Sequence, residues 1–103
     1  NNMEIIHGNE NNFNDIVQGE LVLVDFFATW CGPCMMLSPT VDEVANEVSN
    51  VKFGKINVDE QGELAQQFGI SSIPTLVVVK DGKVVKQSVG LIPKSAILEL
   101  LQD

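Results

Sequence analysis

Residues 24–34 read VDFFATWCGPC and join the end of an apolar strand to the start of a helix. Leu21–Phe27 is apolar at nearly every position, which predicts a central strand covered on both faces. Pro33 suits the first turn of a helix, because its missing N–H has no intrahelical partner there. Apolar residues then recur at helical spacing and predict one buried stripe: Leu37, Val41, Val44, Ala45 and Val48. The two cysteines therefore lie at a strand-to-helix junction.

The rest of the chain reads as short alternating elements on either side of this junction. Asn9–Asn12 predict a helix cap, Gly19 and Gly69 predict helix ends, and Asp81-Gly82 predicts a tight hairpin turn. The predicted elements are a strand at Met3–Ile6, a helix at Phe13–Val17, a strand at Val51–Val58, a helix at Glu60–Phe68, strands at Thr75–Lys80 and Lys83–Val89, and a helix from Pro93.

This β-α-β-α-β-α-β-β-α order predicts the fold class. The first three strands are joined through helices, so they should run parallel with right-handed crossovers, whereas the last two strands form an antiparallel hairpin. We therefore expect an α/β domain with a central mixed sheet of about five strands flanked by four helices, covering residues 3–103.

Composition excludes several classes of function. The chain has 103 residues, with Lys+Arg 6 against Asp+Glu 14, a net charge of −8 and a pI near 4.4. A nucleic-acid-binding protein or one that binds an anionic membrane surface needs clustered cations, so we expect neither partner. The apolar runs are strand-sized and too short to span a bilayer.

The first residues predict a cytoplasmic location. They lack the basic start and apolar middle of a secretory signal. Asn1 and Asn2 precede Met3, and we interpret them as residues left by an expression vector, with Met3 as the native start.

Cys31 and Cys34 are the only cysteines, so they do not form a disulfide scaffold. The free N–H groups and dipole of a helix start stabilise a thiolate and lower its pKa. Cys31 precedes the helix and should reach solvent, while Cys34 in the first turn should be more enclosed. We therefore expect thiol–disulfide exchange in which Cys31 attacks a substrate disulfide and Cys34 resolves the mixed disulfide.

Two other uses of the pair stay open. Structural zinc needs about four ligands, whereas the pair supplies two and His7 is the only other soft candidate. A purely structural bridge would constrain the unfolded chain little, because the loop that it closes is short. We expect no metal and no bound cofactor.

The chain resembles the thioredoxin family. Cys31-Gly32-Pro33-Cys34 matches the family's motif, flanked by Val24–Ala28 and Trp30, and Ile73-Pro74-Thr75 and Gly90 match two further hallmarks. The similarity runs from about Met3 to Leu101. It implies the thioredoxin fold and a redox-active electron carrier with protein-disulfide reductase activity.

The resemblance also implies roles for two charged residues. Burial of Asp25 in the apolar strand would raise its pKa, although the residues alone also allow an exposed carboxylate at the strand end. By similarity, Asp25 exchanges a proton with Cys34. Lys55 shares a strand face with Val51 and Phe53 and could be a surface lysine. In the family this lysine lies near the aspartate, so we expect it to modulate Asp25.

A partner-binding patch is implied next to the cysteines. The resemblance predicts a cis Ile73–Pro74 bond, with Gly32, Pro33 and Pro74 tuning the redox pair. The implied patch consists of Trp30, Gly32, Pro33, Ile73, Pro74, Gly90 and Leu91; we call it the apolar patch. Core packing is the alternative for Trp30 and Leu91. Phe27 and Met35 depart from the family's usual tryptophan and cation, which affects partner preference and thiolate tuning.

These features predict a monomeric, cytoplasmic protein disulfide reductase. The expected electron donor is a thioredoxin reductase, and the family's clients include ribonucleotide reductase, peroxiredoxin and methionine sulfoxide reductase. Two alternatives remain: an extracytoplasmic thiol–disulfide protein, and a non-catalytic docking or processivity subunit that uses the same fold.

Overall fold

Five strands and four helices alternate along residues 5–102, the part of the chain that this computed structural model describes. Asn1, Asn2 and the predicted strand start at Met3 lie outside the described residues. The elements are β1 (Ile5–His7), α1 (Phe13–Val17), β2 (Leu21–Phe27), α2 (Gly32–Glu47), β3 (Lys52–Asn57), α3 (Gly62–Gln67), β4 (Thr75–Lys80), β5 (Lys83–Val89) and α4 (Lys94–Leu100).

The strands form one mixed sheet in the order β1-β3-β2-β4-β5. β1, β3 and β2 are parallel, as their helical connections predict, and β4 and β5 are antiparallel to their neighbours. The tight turn at Asp81-Gly82 is also confirmed, since both residues have positive φ, 52° and 82°. The predicted fold class is therefore confirmed, and β2 lies at the centre of the sheet.

The two faces of the sheet carry separate apolar clusters. Val22, Val24 and Phe26 of β2 pack into the cluster that includes residues of α1 and α3. Leu23 packs on the opposite face with Leu37 and other residues of α2 and α4. Because side chains alternate along a strand, Asp25 shares the face of Leu23 and lies beneath α2.

The start of α1 differs from the sequence prediction. Asn12 is the N-cap residue, but its side chain makes no capping hydrogen bond to the helix. Its amide oxygen instead accepts a hydrogen bond from the backbone N–H of Asn9 at 2.7 Å. The asparagines thus fold the preceding turn rather than cap the helix.

No helix within residues 5–102 is long and apolar enough to cross a membrane.

Candidate active site

Helix α2 begins at the cysteine pair. Cys31 is the N-cap residue and is joined to Cys34 by a disulfide, with the two Cα atoms 5.2 Å apart. The backbone N–H of Cys34 donates to the Sγ atom of Cys31 at 3.2 Å. Cys31 Sγ therefore occupies the place of a capping oxygen, where N–H groups and the helix dipole stabilise negative charge. In the reduced protein the same position favours a thiolate on Cys31.

Cys31 is more enclosed than the sequence predicts, whereas Cys34 is enclosed as predicted. Cys31 is 5% exposed and Cys34 is 1% exposed. Cys31 is therefore the more exposed of the two, as predicted, but only a small part of it reaches solvent. The cause is the loop before β4, which comes against the pair: Cys31 Sγ lies 4.0 Å from the carbonyl oxygen of Ile73. Ala28 and Val58 complete the small cluster around the disulfide.

The zinc alternative requires about four ligands close together. Among residues 5–102, no three His, Cys, Asp or Glu side chains come together in a group that could hold a metal ion.

Asp25 is buried behind the pair. It is 2% exposed, so the alternative of an exposed carboxylate is wrong, and its Oδ1 atom accepts no hydrogen bond from residues 5–102. Burial raises the pKa of this carboxyl from 3.8 to about 6; Lys55 acts in the opposite direction, and Asp42 adds to the rise. A carboxyl with this pKa binds and releases protons near neutral pH.

Lys55 lies beside Asp25 in the sheet, since the two residues are register partners on β3 and β2. Its ammonium, however, points to α2: Nζ lies 2.6 Å from Ser38 Oγ and 3.1 Å from Asp42 Oδ1. The side chain is largely buried, so the alternative of a free surface lysine is wrong.

A cavity of about 190 Å³ connects these groups. Asp25, Cys34 and Lys55 all line it, together with His7, Phe27, Met35 and Ser38. Asp25 and Cys34 thus face a common space, which allows a proton to pass between the carboxyl and the thiol.

The Ile73–Pro74 bond is cis, as the resemblance implies, and other contacts of these two residues connect the motifs. The carbonyl oxygen of Pro74 accepts a hydrogen bond from the N–H of Gly90 at 2.8 Å. Because Ile73 also contacts Cys31, residues from three distant parts of the sequence meet at one end of the sheet.

The apolar patch is exposed around the disulfide. Trp30 is 71% exposed and Leu91 is 46% exposed, so core packing is wrong for both. Gly32 and Pro33 are also exposed, Ile73 and Gly90 are half-buried, and Pro74 is buried. Pro74, which was predicted as part of the patch, therefore offers little surface to a partner.

Three residues near the site escaped the sequence reasoning. Asp59 accepts a hydrogen bond from the indole Nε1 of Trp30 at 2.7 Å, and Ser38 and Asp42 hold Lys55. The spacing Cys34, Ser38, Asp42 is the available signal for the last two, since residues four apart share a helix face. Asp59 lies in a turn after β3, and its sequence gives no comparable signal.

Comparisons with known proteins agree with this geometry. The thioredoxin family model matches residues 4–103. The chain is 50% identical to a thioredoxin of Chlamydia caviae over 92 residues, which is 89% of this chain and 90% of that protein. It is 45% identical to the thioredoxin of Bacillus subtilis over 100 residues, 96% of each chain.

Solved structures give the same result. A mutant thioredoxin from Halobacterium salinarum superposes with a TM-score of 0.89 at 38% identity, covering 95% of this chain and 88% of that one. The thioredoxin of Malassezia sympodialis superposes with a TM-score of 0.83 at 33% identity, covering 96% of this chain and 88% of that one. The chain belongs to the thioredoxin family and is a dithiol–disulfide oxidoreductase, reducing disulfides in client proteins through a reversible Cys31–Cys34 bond.

Proposed function

We propose that this chain is a general protein disulfide reductase in which Cys31 attacks and Cys34 resolves. The observation that carries the assignment is the N-cap position of Cys31, whose Sγ accepts the N–H of Cys34 beside the exposed apolar patch. Cys34 lies in the first turn of α2 and is shielded from a client disulfide.

Reduction of a client disulfide takes place in two steps of thiol–disulfide exchange. The Cys31 thiolate attacks one sulfur of a client disulfide; a mixed disulfide forms, and the other client sulfur leaves as a thiolate. Cys34 then loses its proton and attacks Cys31 Sγ, which re-forms the Cys31–Cys34 bond and releases the second client thiolate. The client gains two electrons and two protons, and thioredoxin reductase restores the dithiol.

We propose that Asp25 accepts the proton that Cys34 loses in the second step. The support is the burial of Asp25, its raised pKa and the cavity that it shares with Cys34. Lys55 would modulate this proton transfer, because its positive charge opposes the rise of the Asp25 pKa.

The apolar patch is the proposed docking surface for clients. Met35 and Met36 are also exposed beside the pair and are uncharged. They extend the patch with flexible, polarisable side chains that adapt to different partners. Gly32, Pro33 and Pro74 would tune the redox pair.

The finer properties rest on the family. We propose that residues 3–103 form a single, monomeric domain that works in the cytoplasm, a compartment that keeps protein thiols reduced. The proposed clients are ribonucleotide reductase, peroxiredoxin and methionine sulfoxide reductase. The rate at which the reduced protein reduces the disulfide form of each of these three enzymes tests this choice.

The direct test is reduction of insulin disulfides in the presence of dithiothreitol. We expect the wild-type chain to accelerate insulin precipitation, and Cys31→Ser to abolish the acceleration. Wild-type protein without activity would instead favour a docking or processivity subunit, which does not need both thiols.

A second measurement is the reduction potential of the Cys31–Cys34 couple, from equilibration with glutathione. We expect about −270 mV, the value typical of thioredoxins, which is carried over from the family and not calculated from the geometry. A value near −120 mV, typical of a strong oxidant, would contradict the reductase assignment.

The fluorescence of Trp30 should report the redox state. Trp30 is the only tryptophan and directly precedes Cys31, and a disulfide near an indole quenches its emission. We expect the emission intensity to change when dithiothreitol reduces the protein. The Cys31→Ser variant, which has no disulfide, is the control and should not respond. Identical spectra of the oxidised and reduced wild type would show that Trp30 does not sense the pair.

A further inference from the structure

A polar row crosses the apolar interface between α2 and the sheet. Cys34, Ser38 and Asp42 are spaced by four residues and therefore lie along one side of α2. Beneath them, Asp25 and Lys55 are neighbours on β2 and β3. Lys55 joins the two layers, since its ammonium contacts both Ser38 and Asp42.

This arrangement controls where a positive charge lies relative to Asp25. The Lys55 side chain starts next to Asp25 in the sheet, but the ammonium is held by α2, while Oδ1 of Asp25 has no hydrogen-bond partner among residues 5–102. A lysine has a long, flexible stem, so its ammonium moves to the partners that hold it best. In a buried setting, a small change in distance between opposite charges has a large effect.

We propose that Ser38 is a positioning residue: together with Asp42, it holds the Lys55 ammonium away from Asp25 and so keeps Asp25 able to accept a proton. This inference rests on the proposed role of Asp25 in the second step of the exchange. Without Ser38, the ammonium depends on Asp42, an exposed carboxylate that forms a weak pair, and it moves towards the unpartnered oxygen of Asp25.

The titratable groups around Asp25 come from three elements. Lys55 faces it from β3, Cys34 and Asp42 from α2, and His7 lines the same cavity from β1. The residue paired with Asp25 on β4 is Leu76, which does not titrate. Of the polar contacts of Lys55, the one with Ser38 can therefore be removed without changing any charge.

The test is the pKa of Asp25 in oxidised Ser38→Ala, followed by the carboxyl ¹³C chemical shift across pH. We expect the pKa to fall by about half to one pH unit, because an approaching cation favours the carboxylate. Ser38→Thr keeps a hydroxyl and should leave the pKa at its wild-type value. Asp42→Asn is not a clean test, since it removes a negative charge as well as a contact.

A double variant separates positioning from local structure. In a Lys55→Met background, Ser38→Ala should leave the pKa of Asp25 unchanged, because no ammonium remains to be placed. An unchanged pKa in the single Ser38→Ala variant, or an equal fall in the Lys55→Met background, would overturn the proposal. The wild-type insulin assay tests the proposed function separately. If the wild type failed to reduce insulin, a measured fall of the Asp25 pKa in Ser38→Ala would still show that Ser38 positions the Lys55 ammonium.

Discussion

Cys34→Ser should accumulate client proteins as covalent mixed disulfides, whereas Cys31→Ser should trap few. In Cys34→Ser, Cys31 keeps its N-cap position and the N–H of residue 34, so attack on a client disulfide continues. Resolution is lost because the second thiol is gone, and the client stays attached. In Cys31→Ser, the remaining thiol is 1% exposed and backed by Asp25, so it is poorly reactive.

The measurement is the set of high-mass species on non-reducing gels after incubation with a disulfide-containing lysate. Dithiothreitol must release them, and the double variant Cys31→Ser/Cys34→Ser gives the background. Strong trapping by Cys31→Ser alone would reverse the assignment of attacking and resolving thiol. Absence of trapping by both single variants would favour the docking-subunit alternative.

The segment around β2 and α2 was predictable because its signals are local. A continuous apolar run, a proline at a helix start and a helical apolar stripe each depend on neighbouring residues only. The hairpin at Asp81-Gly82 is equally local. The strand order β1-β3-β2-β4-β5 is not a local property, because it depends on which strands pack best after the crossovers form. Sequence reasoning therefore predicts the elements and parallel connections better than the position of each strand.

In the candidate site, too, local features were predictable from the sequence and features set by distant residues were not. The N-cap geometry of Cys31 follows from its place before Pro33, and an aspartate inside an apolar strand predicts the raised pKa of Asp25. The exposure of Cys31 was overestimated because the covering residue, Ile73, is 42 positions away in the chain. The direction of Lys55 was not predictable either, because it is set by Ser38 on another element.

Asp25→Ala should make the folded protein more stable at pH 7. The pKa of Asp25 is raised from 3.8 to about 6, so folding disfavours its charged form. The cost is absent below about pH 4, grows as pH rises and is complete above about pH 6, where it reaches about 2–3 kcal/mol. Removal of the carboxyl eliminates this cost, although the small void left by alanine offsets part of the gain.

The measurement is denaturant unfolding of oxidised wild type, Asp25→Ala and Asp25→Asn at pH 3.5 and pH 7. Asp25→Asn is the matched control, because it keeps the size of the side chain and does not titrate. Relative to either variant, the wild type should lose free energy of unfolding between pH 4 and pH 6, while contributions from other acids cancel in the difference. At pH 3.5 the stabilising effect of the substitutions should nearly vanish, since Asp25 is then neutral in the folded chain and mostly neutral in the unfolded chain. A wild type more stable than both variants at pH 7 would contradict a buried, proton-accepting Asp25, because it would mean that the folded state stabilises the carboxylate.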